Sequence, residues 1–232
     1  MSSIKIWEDR DKDLYAVLYC LDRPSANRKT GDMVQLGIMC LSKSPSQIIK
    51  NREQEKNCGS CALKYKTCYV NPVSLNHVHA KSVNLDVERI PKMHKPIRLG
   101  SWGDPGLLPI SLLHGLVYSA PGHTGYTHLW QEIDPKYSQY LMASIDHLSA
   151  AKSGETLEQH KQRAQNLGYR TFSILRPGDQ TEDIICPNTT HNKLCRECKL
   201  CDGNAYPFKT WRSISVPLHG PQNKIKSYLK AI

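Results

Sequence analysis

The chain has no apolar run long enough to cross a bilayer. Its longest candidate, Leu107–Ala120, is interrupted by Pro109 and His114, whereas a spanning helix needs about 20 consecutive apolar residues. A secretory leader is not expected either. The opening Met-Ser-Ser-Ile-Lys-Ile-Trp-Glu-Asp-Arg carries both signs of charge, and the apolar stretch Leu14–Leu21 ends in Asp-Arg-Pro rather than at a small-residue cleavage site. These absences argue against a membrane partner and predict a soluble, cytoplasmic protein. Carboxylates are in short supply, with 21 Asp and Glu against 31 Lys and Arg and a formal net charge of +10. Clustered cations gain free energy on phosphate backbones, which makes nucleic acid a candidate partner. Most of these charges are spread as on a solvated surface; the exceptions are Lys193, Arg196 and Lys199, and Lys224, Lys226 and Lys230 near the C-terminus.

Cysteine, by contrast, is plentiful, at nine residues. In a compartment that keeps thiols reduced, such a count points to metal rather than disulfides. Cys186, Cys195, Cys198 and Cys201 fall within one short stretch, the last three spaced C-x2-C-x2-C. Thiolates so close in sequence suit a polynuclear iron–sulfur centre, because a 4Fe-4S cubane offers each a separate iron. A single zinc is the alternative, although structural zinc sites more often use two separated C-x2-4-C knuckles. A second group, Cys58, Cys61 and Cys68, is spaced C-x2-C-x6-C, with Gly59 and Ser60 permitting a tight turn between the first pair. Three thiolates leave a fourth position for Cys40, His77, His79, a cysteine of the other group, or an open site that takes substrate.

A chain of 232 residues is long enough for one α/β domain with a real core and short for two. The expectation is a single domain over 1–232, with 186–203 as a Cys-rich metal-binding insertion. Strand-like runs fall at Leu14–Leu21, Met33–Leu41, Ile97–Trp102, Gly125–Trp130, Tyr140–Asp146, Arg170–Leu175 and Trp211–Leu218. Helical spacing appears at Leu107–Tyr118, at Glu155–Leu167 and after Gln222. This alternation predicts an α/β fold: a parallel βα array of about six strands, curled into a full or partial TIM-like barrel. The carboxyl ends of its strands would share one rim, bringing Asp104, His128, Asp146, Asp179 and His219 together. Asp104, His128 and Asp146 are the candidate catalytic residues, to position substrate or move protons. Both cysteine groups follow strands and are expected on that same rim. Separately, His77-Val78-His79 could place two imidazoles on one face of a strand to hold a divalent ion, with Tyr228 as a nominal nucleophile.

The segments Asn27-Arg-Lys-Thr-Gly-Asp32, Cys58-x2-Cys61-x6-Cys68-Tyr-Val-Asn71, Arg98-Leu-Gly-Ser-Trp-Gly-Asp-Pro105, His123-Thr-Gly-Tyr-Thr-His-Leu-Trp130, Leu141-Met-Ala-Ser-Ile-Asp146 and Cys195-x2-Cys198-x2-Cys201-Asp-Gly203 resemble an uncharacterised family of phage and plasmid proteins. In architecture that family is similar to radical S-adenosylmethionine (radical-SAM) enzymes. The resemblance implies a partial barrel of six βα units, a four-iron cluster on the Cys58, Cys61 and Cys68 loop, an auxiliary cluster on the C-terminal group, and S-adenosylmethionine as a candidate cofactor. The usual C-x3-C-x2-C loop and the Gly-Gly-Glu stretch after the second strand are absent here, so the likeness carries the fold further than the cofactor. The expected function is an iron–sulfur, radical-SAM-like protein of a mobile genetic element, an enzyme acting on nucleic acid or nucleotide. A non-catalytic nucleic-acid-binding protein with structural zinc or iron–sulfur sites is the alternative. An HxH-type nicking endonuclease is a third reading.

Overall fold

A computed structural model describes residues 3–25, 27–65, 67–68, 70–204 and 212–232. Its first three strands, β1 (Ile4–Asp9), β2 (Leu14–Tyr19) and β3 (Val34–Cys40), pair antiparallel in sequence order. From β3 onward every pairing is parallel, through β4 (Ile97–Trp102), β5 (His123–Thr127), β6 (Met142–Ile145) and β7 (Thr171–Leu175). The row finishes with β9 (Ile214–Pro217) beside β7, and with the two-residue β8 (Ile184–Ile185) outside it. The result is a mixed α/β fold on a nine-stranded, mostly parallel sheet that stays open, with β1 and β8 as its edges.

Burial explains why these segments are strands. All seven residues of β3 are buried, the continuous run that a strand covered on both faces requires. β4 alternates instead: Ile97 and Leu99 enter the main core while Arg98 and Gly100 turn to the other, half-open face. That face becomes the wall of a cavity. Helices close the apolar side. Among them α1 (Pro45–Lys50) starts in a capping box between Ser44 and Gln47, and α2 (Glu55–Cys58) follows as a single turn. Next come α3 (Pro72–Ser82) and α4 (Ile110–Tyr118). The short α5 (His147–Lys152) precedes α6 (Leu157–Asn166), which is capped by Thr156 and Gln159 in the same way as α1. Among the described residues no helix is long and apolar enough to cross a membrane.

Several expectations need correction. The N-terminal Ile4–Asp9 is a strand, held by its antiparallel partner rather than by any strong pattern of its own. The run beginning at Gly125 starts earlier, at His123, and leaves the sheet after Thr127, because the backbone N–H of His128 donates to Asp104 Oδ2 at 2.7 Å instead of to a neighbouring strand. His77 and His79 lie on α3, opened by the Asn71 cap and Pro72 at its first turn. Residues two apart on a helix point to different sides, and His79 Nδ1 is engaged by the Tyr15 hydroxyl at 3.0 Å. The paired-imidazole site is therefore not formed. Tyr228 is only 2% exposed, its hydroxyl accepts the His147 N–H, and burial pushes its phenol up; it is a packing residue on α9 (Gln222–Ala231). Trp211, where the last strand was expected to begin, lies outside the described residues.

Candidate functional site

At the carboxyl ends of β3, β4 and β5 the chain turns on Gly103. Its φ is +79°, and a Cβ there would stand 2.6 Å from the Ile38 carbonyl and 2.8 Å from that of Asn57. This close approach lets the Asp104 N–H reach the Asn57 carbonyl at 2.7 Å and sets the Cys58 loop against the end of β4. Asp104, 4% exposed, then gathers three donors: Gly106 N at 2.8 Å, Thr127 Oγ1 at 2.7 Å and His128 N at 2.7 Å. Burial nevertheless raises its carboxyl pKa. The His128 ring faces this carboxylate through Nδ1 at 3.8 Å, and among the described residues its buried Nε2 meets no hydrogen-bond partner. Burial opposes a charged imidazole. The facing Cys61, together with Asp104 and Asp146, outweighs that penalty and lifts His128 to about 9.

The three thiols sit around this pair. Cys58 is raised well above the ordinary thiol range, first by burial and then by Cys61, Cys68 and Asp104. Burial also raises Cys68, which feels Cys61 and, in the opposite sense, Lys224 of α9. Cys40 is not among them. It packs in the main core, 2% exposed, where burial lifts its thiol to about 11.

The four-thiol group lies elsewhere. Past β8, Cys186 opens the single-turn α7 (Pro187–His191), and Cys195–Cys198 forms α8. Cys195 N and Arg196 N donate to the Lys29 and Thr30 carbonyls ahead of β3, and the Cys201 carbonyl accepts from Gly125 N on β5. Gly203, at φ +61°, packs so close to the chain before β6 that a Cβ would sit 2.7 Å from Leu141 N and from the Ser138 carbonyl. Most of these anchors precede strands, and Gly125 lies midway along β5. The insertion is therefore strapped across the amino ends of the sheet, opposite the rim that carries Cys58, Cys61 and Cys68, and the shared rim expected from strand order is not what the chain builds. Burial, followed by Cys186, lifts Cys195 to about 11 despite Arg98 and Lys29. Burial also raises Cys201, whose thiol meets the Tyr126 hydroxyl.

One cavity of about 300 Å³ joins the two ends: all seven clustered cysteines line it, together with Asp104, His128 and His219. Asp146 and Asp179 do not. Asp146 caps α5, accepting from Leu148 N, Ser149 N and Ser149 Oγ. Asp179 is bound to His147 and Arg176. Arg98, Lys29 and the ring pair Tyr126–Phe172, 4.4 Å between centroids, also line the cavity, and sequence reasoning passed over them. A signal for Arg98 was available: a cation between Ile97 and Leu99 must face away from the core that those two residues enter.

Among the described residues no three His, Cys, Asp or Glu side chains close on a single point as one bound ion would require. In kind and grouping the donors still suit metal, since buried thiols that raise one another's pKa are groups whose charged forms need a cation. Comparison with protein families, curated proteins and solved structures finds no match for this chain.

Proposed function

We propose that this is an iron–sulfur protein, radical-SAM-like in architecture, in which β3 to β7 and β9 form a six-stranded partial barrel around the cavity. It acts as an enzyme of a mobile genetic element on a nucleic acid or nucleotide. The observation that carries this reading is the division of seven thiols into a group of three and a group of four, both facing one cavity. A tetrahedral zinc with Zn–S near 2.3 Å needs sulfurs roughly 3.8 Å apart, whereas a cubane hands each thiolate its own iron and tolerates a wider spread. Cys186, Cys195, Cys198 and Cys201 would saturate one cluster. Cys58, Cys61 and Cys68 would hold another with its fourth position toward the cavity, for substrate or S-adenosylmethionine. Such a cluster supplies an electron and one coordination position.

The chain's own residues do the rest. Asp104, fixed by three donors, orients His128. His128, opposite Cys61, is placed to hold or release a proton. Apolar walls from Trp102, Phe172 and Ile174 limit water. Anaerobic purification should give a brown protein with charge-transfer absorbance in the visible; a colourless preparation holding stoichiometric zinc would refute the reading. The alternative, a non-catalytic nucleic-acid-binding protein with structural zinc or iron–sulfur sites, is favoured by one feature, the strapping of the four-thiol insertion across the amino ends. It would leave nucleic-acid binding intact when Asp104 is changed to Asn.

Metal retention should also depend on pH with a definite sign. Thiols held protonated by burial must each surrender a proton to bind, so acidification weakens apparent affinity about tenfold per pH unit for every ligand reprotonated. Metal loss should therefore steepen as pH falls, and a chelator titration at two pH values measures the number of protons exchanged.

A further inference from the structure

We propose that the cavity binds a phosphorylated small molecule of nucleotide size, its phosphate held by Arg98 with Lys29 beside it. This names a ligand class for the site read above as the working cavity, and rests on that reading. Five cations line the space, Lys29, Arg98, Lys193, Lys199 and Lys224, against a single carboxylate, Asp104. That carboxylate is already occupied by Gly106, Thr127 and His128. Arg98 is the built member of the set. Strand β4 fixes it between Gln35 on β3 and Thr124 on β5, half-buried and near Tyr19, Tyr126 and Cys195.

Among the described residues the ion pairs of the structure leave out Arg98 and Lys29, whose charges instead act on the Cys195 thiol. The planar guanidinium fork of Arg98 matches a phosphate through two parallel hydrogen bonds. The Tyr126–Phe172 pair offers a planar heterocycle a stacking surface.

The test compares binding of AMP, adenosine, inorganic phosphate and a single-stranded oligonucleotide by calorimetry, with metal content measured on every sample. Wild type should bind AMP at least about tenfold more tightly than adenosine. Arg98→Ala should weaken AMP by about 10- to 100-fold with adenosine unchanged, the range of a charged hydrogen bond. Arg98→Lys should fall between, since it keeps the charge and loses the fork. The contrast between AMP and adenosine needs no variant, so a misfolded Arg98→Ala protein leaves the question answerable. Equal binding of AMP and adenosine, or of AMP by wild type and Arg98→Ala, would overturn the proposal. So would loss of metal in Arg98→Ala with AMP affinity intact, which would assign Arg98 to Cys195 alone. Tighter, steeply salt-dependent binding of the oligonucleotide would replace the small ligand with a polymer. A colourless protein that binds AMP through Arg98 sinks the iron–sulfur reading and spares this one; a brown protein indifferent to AMP does the reverse.

Discussion

Replacing Cys195 and Cys198 together with serine is expected to remove about half of the bound metal and to lower Tm by about 10 °C. The equivalent change at Cys58 and Cys61 should remove a similar share of metal with a much smaller shift. The asymmetry follows from position. The four-thiol insertion touches the Lys29 and Thr30 carbonyls before β3, Gly125 on β5 and the chain before β6, so a bound cluster there cross-links the amino ends of the sheet. Closing a loop of about 15 residues is worth about 3 kcal/mol in the chain-entropy account. Releasing the insertion's backbone contacts adds to that. At this chain length each kcal/mol corresponds to roughly 2–4 °C, which gives the expected shift. The three-thiol loop instead hangs from the carboxyl ends by Asn57 and Gly59, and the sheet beneath it is already packed into the main core. Iron analysis and thermal melts of the two double variants measure both quantities. Equal shifts would mean that the two groups do the same structural work.

How much of this could be read without coordinates follows from which interactions are local. The apolar runs of β2 to β4, β6 and β7 and the rhythm of strand and helix are written within a few residues, and they emerge close to where periodicity placed them. The thiol spacings were equally plain. The location of the second group was not, because a segment that follows a strand can return along the sheet, and only the pairing of Cys195 and Arg196 with the Lys29–Thr30 backbone shows that it does. Asp146 illustrates the same limit. A carboxylate at the end of a strand is a functional signal and a helix-cap signal at once, and here Leu148 and Ser149 take it. His77 and His79 failed for a different reason: a pattern of two has no meaning until the local structure is known to be strand, and Asn71-Pro72 starts a helix.

Arg170→Met is expected to destabilise the chain by about 3–5 kcal/mol and to reduce metal at the four-thiol group while sparing the three-thiol group. Arg170 stands just ahead of β7 with its side chain 6% exposed, paired to an Asp202 that is 1% exposed. Its Nη1 donates to Asp202 Oδ1 at 2.9 Å and to the Gly203 carbonyl at 2.7 Å, and its Nη2 reaches the Leu200 carbonyl at 2.8 Å. Groups of Leu200, Asp202 and Gly203, on either side of Cys201 at the exit of the insertion, therefore hang on one guanidinium. Removing the guanidinium takes an ion pair and several charge-assisted hydrogen bonds out of a buried site at once, and that combined loss sets the magnitude. Asp202→Asn should be milder, because an amide still accepts one hydrogen bond from Arg170 although it abolishes the ion pair. The double variant Arg170→Met with Asp202→Leu closes a mutant cycle that isolates how much of the loss passes through the pair itself. Denaturant melts of the three variants, read beside their iron content, separate a collapsed insertion from a merely weakened fold: loss of stability with the full metal complement would show that the cluster ligands do not depend on this anchor.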